Sequence, residues 1–174
     1  MDYFEMFDIK PQFNLDHKAL KIKYLKLSKA YHPDFHTQAT PMEQVKILEQ
    51  STLINKAYKT LSNPDQLLEY FLEKEGLLDG KPEELPQVFL LEMMEFNERI
   101  MDLRMEPDPI KIDAIQNEFE LIMSGLNEEL STLKSSFDES KTHEVLSRLR
   151  FLYFKKKYLN RISEHMDKLN EILS

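Results

Sequence analysis

Cysteine and tryptophan are absent from this chain of 174 residues, and glycine occurs only 3 times. The lack of cysteine excludes disulfides, thiolate metal ligands and cysteine nucleophiles, and it fits a reducing compartment. The scarcity of glycine disfavours a β protein that is rich in turns. No apolar run approaches the roughly 18 residues of a membrane span, and the start of the chain resembles neither a signal peptide nor an Arg-rich transit peptide. We therefore expect a helical protein without a membrane segment, in a soluble and reducing compartment.

The charge of the chain is negative overall but unevenly distributed. The formal net charge of −8 argues against a nucleic-acid binder. Residues 1–75 hold 10 basic and 11 acidic residues, whereas residues 76–174 hold 13 and 20. Between His17 and Pro33 there are five lysines and no acid. This basic segment suits an acidic protein partner, although a solvated lysine face would have the same composition.

The most specific stretch is Ala30–Asp34, with the sequence Ala-Tyr-His-Pro-Asp. Pro33 lacks an N–H and pushes His32 out of the α region, so the helix before it is predicted to end near Tyr31. His32 and Asp34 are then displayed on a loop, on either side of a rigid proline.

A helix is predicted over 17–31, with Asp16 as its N-cap. Its core-facing stripe follows the spacing i, i+4, i+7, i+11 and consists of Leu20, Tyr24, Leu27 and Tyr31. The opposite face places two apolar residues among lysines: Lys18, Ile22, Leu25, Lys26 and Lys29. An apolar pair in a basic surround predicts a docking patch, unless a neighbouring segment covers it.

The next helix is predicted over 41–61, because Thr40-Pro41-Met42-Glu43 forms a capping box with proline at the first helical position. Its apolar side is predicted to comprise Val45, Leu48, Thr52, Leu53, Ile54, Ala57, Tyr58 and Leu61. Packed antiparallel against helix 17–31, it would hold the His-Pro-Asp sequence at the tip of a helical hairpin. A further helix over 65–75 is predicted to stop at Gly76.

The second part of the chain changes to acidic, Met-rich helices after a Gly- and Pro-containing linker over 76–85. Breaks in the pattern predict helices over 86–105, 109–138 and 141–173. Three helices joined by short breaks predict an antiparallel bundle over 86–174. The expected fold class is thus all-α, with a first domain over 1–75 and a C-terminal three-helix bundle.

A basic helix, His-Pro-Asp, a loop and another helix together closely resemble the J-domain, the family that stimulates ATP hydrolysis by DnaK-type chaperones. The whole chain is similar to the HscB family of iron–sulfur co-chaperones. The supporting segments are Met1–Phe4, Ser51–Tyr58, Phe89–Glu92 and Leu149–Leu152. The resemblance departs from the family at Phe35-His36, at Asp8, where glycine is common, and at Asn97, where arginine is frequent.

The resemblance implies two protein partners in a bacterial cytoplasm. An HscA/DnaK-type chaperone would bind the face carrying Lys18, Ile22, Leu25, Lys26, Lys29, His32, Pro33 and Asp34. An IscU-type iron–sulfur scaffold would bind Leu90, Leu91, Met94, Glu95, Glu98 and Phe151. Acids mixed into an apolar stripe suit an exposed interface, while the alternative places Leu90 and Met94 in the core of the bundle. The oligomeric state stays open, with a weak homo-oligomer as one alternative.

Catalysis, metals and cofactors have no residues to support them. His32 and Asp34 lack a third positioned group and an enclosed pocket. The other histidines match no metal-ligand spacing, and Gly-rich phosphate loops are missing. The expected role is an adaptor that recruits a scaffold and triggers ATP hydrolysis on a partner. Two alternatives remain, a general J-protein that binds unfolded clients through its Met-rich bundle and a structural bundle with a vestigial J-domain.

Overall fold

The computed structural model describes residues 2–80 and 84–171, in which seven α-helices and no strand occur. The prediction of an all-α chain is therefore confirmed for these residues. Two compact units are present, Met1–Glu75 and Gly76–Ser174. The first contains α1 (Tyr3–Met6), α2 (His17–Ala30), α3 (Pro41–Ser62), α4 (Pro64–Lys74) and a 3-10 turn at Pro33–Phe35. The second contains α5 (Gln87–Met105), α6 (Pro109–Ser140) and α7 (His143–Asn170).

Side-chain caps set the helix boundaries in the first unit. The Asp16 carboxylate accepts hydrogen bonds from the N–H groups of Lys18 and Ala19, at 2.9 and 3.0 Å. The capping box predicted at Thr40 is present, and both the backbone N–H and the hydroxyl of Thr40 donate to Glu43 at 2.8 Å. The backbone hydrogen bond, followed by the hydroxyl, holds the pKa of Glu43 below its ordinary value. Such local signals are readable from sequence because they need no tertiary partner.

Ring stacking and a hydrogen bond join α2 to α3 in the hairpin. Tyr24 stacks on Tyr58 with ring centroids 4.0 Å apart, and its hydroxyl donates to Asn55 Oδ1 at 3.0 Å. These pairs set the antiparallel register, in which Ala30 at the end of α2 is level with about the tenth residue of α3. The first turns of α3 therefore extend beyond α2 by roughly 12 Å, at 1.5 Å per residue.

The extension of α3 beyond α2 corrects part of the predicted core. Val45 and Leu48 were expected on the buried side, but they are 56% and 58% exposed. Thr52 is exposed as well, and Tyr31, expected to end the stripe of α2, is 38% exposed. Val45 and Leu48 follow a helical period, but they lie on the part of α3 that extends beyond the end of α2, so α2 does not cover them.

The core of the first unit is aromatic at the end where α1 meets α4. Phe4 and Phe13 pack on Phe71, with ring centroids 5.1 and 4.3 Å apart. The hydroxyl of Tyr70 accepts a hydrogen bond from the N–H of Tyr3 at 2.9 Å and donates one to Asp2 at 3.2 Å. The aromatic segment near the N-terminus thus covers one end of the core of the first unit.

Asp2 ties this N-terminal segment to α4 electrostatically. Its carboxylate accepts hydrogen bonds from the N–H of Phe4 and from Lys74 Nζ. Burial raises the pKa of Asp2, but the hydrogen bonds from Lys74 and Phe4 outweigh that effect and leave the pKa below its usual 3.8.

The second unit is a bundle in which α6 is antiparallel to both of its neighbours. Arg99 of α5 binds Glu118 of α6 through two hydrogen bonds of 3.1 and 2.7 Å. Arg148 of α7 binds Glu129 of α6 at 2.6 and 2.9 Å. Because the chain reverses direction at each end of α6, α5 and α7 run parallel to each other. The predicted three-helix bundle is therefore confirmed.

The boundary between the two units falls where α4 ends. Gly76 adopts φ +67 directly after the C-cap Glu75, which is the left-handed conformation expected of a glycine that terminates a helix. Arg150 Nε of α7 donates to the carbonyl of Leu77 at 2.7 Å, so the start of the linker predicted over 76–85 is attached to the second unit. Residues 81–83 of that linker and the last residues of helix 141–173 lie outside the described residues. Among the helices that are described, none is both long enough and apolar enough to cross a membrane.

Candidate functional site

The His-Pro-Asp sequence forms a 3-10 turn at the tip of the hairpin rather than an irregular loop. His32 is extended, with φ −77 and ψ 127, as the following proline requires. Its Nδ1 accepts a hydrogen bond from the N–H of Asp34 at 3.2 Å, so the histidine caps the turn. The Asp34 side chain is 86% exposed and that of His32 is 47% exposed. Both side chains are therefore available to a partner, while one of them also fixes the turn.

The two residues after the motif, where the chain departs from the family pattern, hold the turn against the hairpin. The ring of Phe35 contacts that of His32 edge-on, with centroids 5.7 Å apart. His36 Nε2 donates to the carbonyl of Ala30 at 2.8 Å, which satisfies a carbonyl at the end of α2. A phenylalanine and a histidine at these positions thus still produce an ordered turn.

The predicted docking face of α2 is open to solvent. Ile22 is 68% exposed and Leu25 is 54% exposed, so no segment of the first unit covers this pair. The lysines predicted for the same face, Lys18, Lys26 and Lys29, are exposed around it. The result is an apolar centre with a basic rim, beside the turn that presents His32 and Asp34.

Not every lysine of α2 is available to a partner. Lys23 Nζ donates to the carbonyl of Asp8 and lies 3.6 Å from its carboxylate. Asp8 itself has φ +48, in the left-handed region that favours glycine. The departure at Asp8 therefore places an aspartate in the left-handed region, where this residue type is among the better tolerated.

The predicted scaffold-binding residues of α5 lie on its solvent side. Leu91 and Met94 are 51% and 55% exposed, and Glu95 and Glu98 are exposed beside them. Leu90 is half-buried at the edge of this surface. The alternative that places Met94 in the core does not fit these exposures. The core of the bundle is formed instead by neighbouring residues of α5, namely Phe89, Met93, Phe96, Ile100 and Leu103.

Phe151, the sixth predicted scaffold-binding residue, lies on α7. Phe89 contacts Lys155 and Tyr158, and His165 lies 3.0 Å from Asn97, so contacting residues of α5 and α7 differ by 66 to 69 in number. Phe151 is therefore offset from Leu90 by about 10 Å along the bundle axis. Along that axis, the separation would fit within one interface of ordinary size, which covers about 800 Å² per partner.

Phe151 is oriented by its own helix. The ring is half-buried, and the guanidinium of Arg148 lies 4.9 Å from its centroid. Arg148 is in turn held by Glu129.

Asn97, where the family frequently has arginine, bonds to His165 across the bundle instead of presenting a cation to solvent.

The sequence-based reasoning missed one exposed apolar surface. Met42, Val45 and Leu48 lie on the solvent side of α3, and Leu48 lines a cavity together with Pro33 and Asp34 of the His-Pro-Asp turn. A signal for it existed in the predicted lengths, because a helix of 21 residues cannot be covered along its whole length by one of 15. On α5, Met101 and Met105 are also exposed, beyond the predicted scaffold-binding residues.

Comparisons with known proteins agree with this two-part organisation. Residues 2–70 match the DnaJ domain, and residues 85–167 match the HSCB C-terminal oligomerisation domain. A protein of Neisseria meningitidis serogroup A named co-chaperone protein HscB homolog is 31% identical over 163 residues, which cover 92% of this chain and 96% of that protein.

Two solved structures share the fold. The structure of chaperone HscB from Vibrio cholerae is 28% identical, with a TM-score of 0.68, and the match covers 97% of this chain and 99% of that one. Human co-chaperone protein HscB is 26% identical, with a TM-score of 0.76, and the match covers 100% of this chain and 84% of that one. Both domain models thus match their part of the chain, and the similar proteins match over nearly all of it. The chain belongs to the HscB family of J-domain co-chaperones of iron–sulfur cluster assembly.

Proposed function

We propose that this chain binds an IscU-type iron–sulfur scaffold and delivers it to an HscA/DnaK-type chaperone, whose ATPase it stimulates. The chain itself hydrolyses nothing in this scheme. The second unit recruits the scaffold, and the first unit engages the chaperone. The observation that carries the proposal is the exposed His32–Asp34 turn beside an apolar pair with a basic rim.

The face of α2 supports the chaperone half of the proposal through its charge. Lys18, Lys26 and Lys29 attract an acidic surface and raise the rate of encounter, an effect that salt weakens. Ile22 and Leu25 then supply apolar area that is already exposed and needs no rearrangement. Once docked, the turn brings His32 and Asp34 against the contacts between the chaperone's domains, which favours its ATP-hydrolysing state.

The exposed surface of α5 supports the scaffold half. Leu91 and Met94 form an apolar centre, while Glu95 and Glu98 form an acidic rim. This arrangement matches the anatomy of specific protein interfaces, in which a few apolar anchors are surrounded by polar residues. Phe151 adds a half-buried aromatic ring from the neighbouring helix.

The decisive experiment separates recruitment from stimulation. His32→Gln and Asp34→Asn are expected to abolish ATPase stimulation while scaffold binding stays at the wild-type level. His17→Gln is a matched control, since His17 is exposed on the same hairpin but lies at the opposite end of α2. Normal stimulation by His32→Gln would reject the proposed role of the turn, and a His32→Gln chain that melts far below wild type would make the turn a structural element.

A second candidate is a general J-protein that binds unfolded clients. It is favoured by the exposed methionines of α5, Met94, Met101 and Met105, because methionine adapts to many partner shapes. Titration with a folded IscU-type scaffold and with a panel of unfolded proteins distinguishes the two. Binding to the folded scaffold alone supports delivery, whereas comparable binding to the panel supports the general chaperone.

A further inference from the structure

An exposed apolar surface lies on the part of α3 that extends beyond α2. We call Met42, Val45 and Leu48 the α3 patch. They recur every three residues on one side of the helix, and each is more than half exposed. Beside the patch, the exposed Lys46 and Glu49 offset each other, which leaves a single net negative charge on the Glu43 carboxylate that Thr40 hydrogen-bonds. A partner would therefore bind this surface through apolar contact rather than through charge.

One residue of the α3 patch, Leu48, faces the His-Pro-Asp turn. A cavity of about 440 Å³ separates the turn from α3. Pro33 and Asp34 line one side, and Ile47 and Leu48 line the other. Leu48 belongs to both the cavity and the patch, and Phe35, the last residue of the turn, is exposed. A partner that contacts Asp34 consequently contacts Leu48 on the other side of this cavity as well.

We propose that the α3 patch is a second, apolar part of the chaperone-docking surface, occupied by an apolar segment of the same Hsp70-type chaperone that receives the His-Pro-Asp turn. This inference rests on the proposed function. The two surfaces then affect different rates of chaperone binding. The lysines of α2 govern the rate of association. The α3 patch slows dissociation, because apolar contact is not weakened when salt screens the charges. The cavity accepts a side chain from the chaperone segment between the turn and Leu48.

The test uses the full chain with Val45→Gln and Leu48→Gln together, since glutamine is a good helix former and keeps the side-chain length. We expect the chain concentration for half-maximal ATPase stimulation to rise about tenfold, which corresponds to 1.4 kcal/mol of binding. Maximal stimulation, scaffold binding and the melting temperature are expected to stay at wild-type values. The deficit should persist at about 1 M salt, where charge steering is largely screened.

The matched control is Leu121→Gln, because Leu121 is an exposed leucine of α6 in the other unit. His32→Gln is measured in parallel. If it abolishes stimulation while the α3 variant stimulates at the wild-type concentration, the inference about the patch is wrong and the proposed function stands. If His32→Gln stimulates normally, the proposed function fails first.

Other occupants give different results. Loss of scaffold binding in the α3 variant would assign the patch to the scaffold, and a change in oligomeric state by sedimentation would assign it to a second copy of the chain. Either outcome overturns the inference. If Leu48→Gln lowers the melting temperature, Met42→Gln with Val45→Gln decides the question, because neither of these residues lines the cavity.

Discussion

Met93 and Met94 offer a matched pair for testing the scaffold-binding surface. They are consecutive residues of the same type on α5, yet Met93 is 4% exposed and Met94 is 55% exposed. Replacing each by alanine therefore removes the same atoms with the same change in helix propensity. Only the environment of the side chain differs, so the comparison separates packing from binding.

The exposures predict that the two substitutions lower stability by different amounts. Met93→Ala leaves a cavity in the bundle and is expected to cost about 2–5 kcal/mol of the free energy of unfolding. Met94 buries less than half of its side chain, so Met94→Ala should cost only about 1 kcal/mol. For a unit of this size, 1 kcal/mol lowers the melting temperature by roughly 4–8 °C. Met93→Ala should therefore melt at least about 8 °C below wild type, and Met94→Ala about 4–8 °C below.

Binding is expected to follow the reverse order. If Met94 is an interface anchor worth about 2 kcal/mol, its truncation weakens scaffold affinity on the order of 30-fold. Removing Leu91 and Phe151 together should weaken it by at least ~100-fold. Charge removal at Glu95 or Glu98 should cost less and act mainly on the association rate, as rim residues do.

The assay is titration of each variant with an IscU-type scaffold, performed well below its melting temperature, beside a thermal melt. Met93→Ala should bind normally once it is folded. The reasoning is refuted if Met94→Ala binds like wild type, which would leave the scaffold site unlocated. It is equally refuted if Met94→Ala melts as low as Met93→Ala, because Met94 would then be a core residue despite its exposure.

Three further predictions concern the first unit. Reversing Lys26 and Lys29 to Glu should slow chaperone association and abolish ATPase stimulation with an unchanged circular dichroism spectrum; wild-type stimulation that is insensitive to salt would contradict this. The pKa of Asp2 is depressed in the folded chain, so the Asp2 carboxylate stabilises the fold above its unfolded pKa of about 3.9, and this stabilisation is lost as the pH falls through the folded pKa. The melting temperatures of Asp2→Asn and wild type should therefore differ at pH 6 and converge at low pH. A fragment of 1–75 should fold and stimulate the chaperone weakly without binding scaffold, and an unfolded fragment would indicate one shared core.

Local chemistry made several features of the fold predictable from the sequence. Pro33 fixes the end of α2, Thr40 and Glu43 fix the start of α3, and Gly76 accommodates the left-handed residue after α4. Each of these signals acts through backbone groups within a few residues, so no knowledge of the partner elements is needed. The His32 cap that converts the expected loop into a 3-10 turn is equally local, but one histidine at such a position is a weak pattern.

Burial was less predictable because it depends on what lies opposite. Tyr31, Val45 and Leu48 follow a helical period correctly, yet they lie where α2 has ended or is ending. On α5, a stripe that mixes acids with apolar residues indicated an exposed surface. It did not show that Met94 rather than Met93 belongs to that surface, since this depends on the rotation of α5 against the other helices of its bundle.

The two candidate docking surfaces differ in charge rather than in apolar content. Ile22 and Leu25 on α2 are 68% and 54% exposed, and Leu91 and Met94 on α5 are 51% and 55% exposed. Apolar area of similar size cannot distinguish one partner from another, because hydrophobic burial is non-directional. The rims are opposite, with lysines around the first pair and glutamates around the second. Under the proposed function, an acidic chaperone surface would be attracted to α2 and repelled at α5, and the rim charges would keep the two partners on separate sites of one chain.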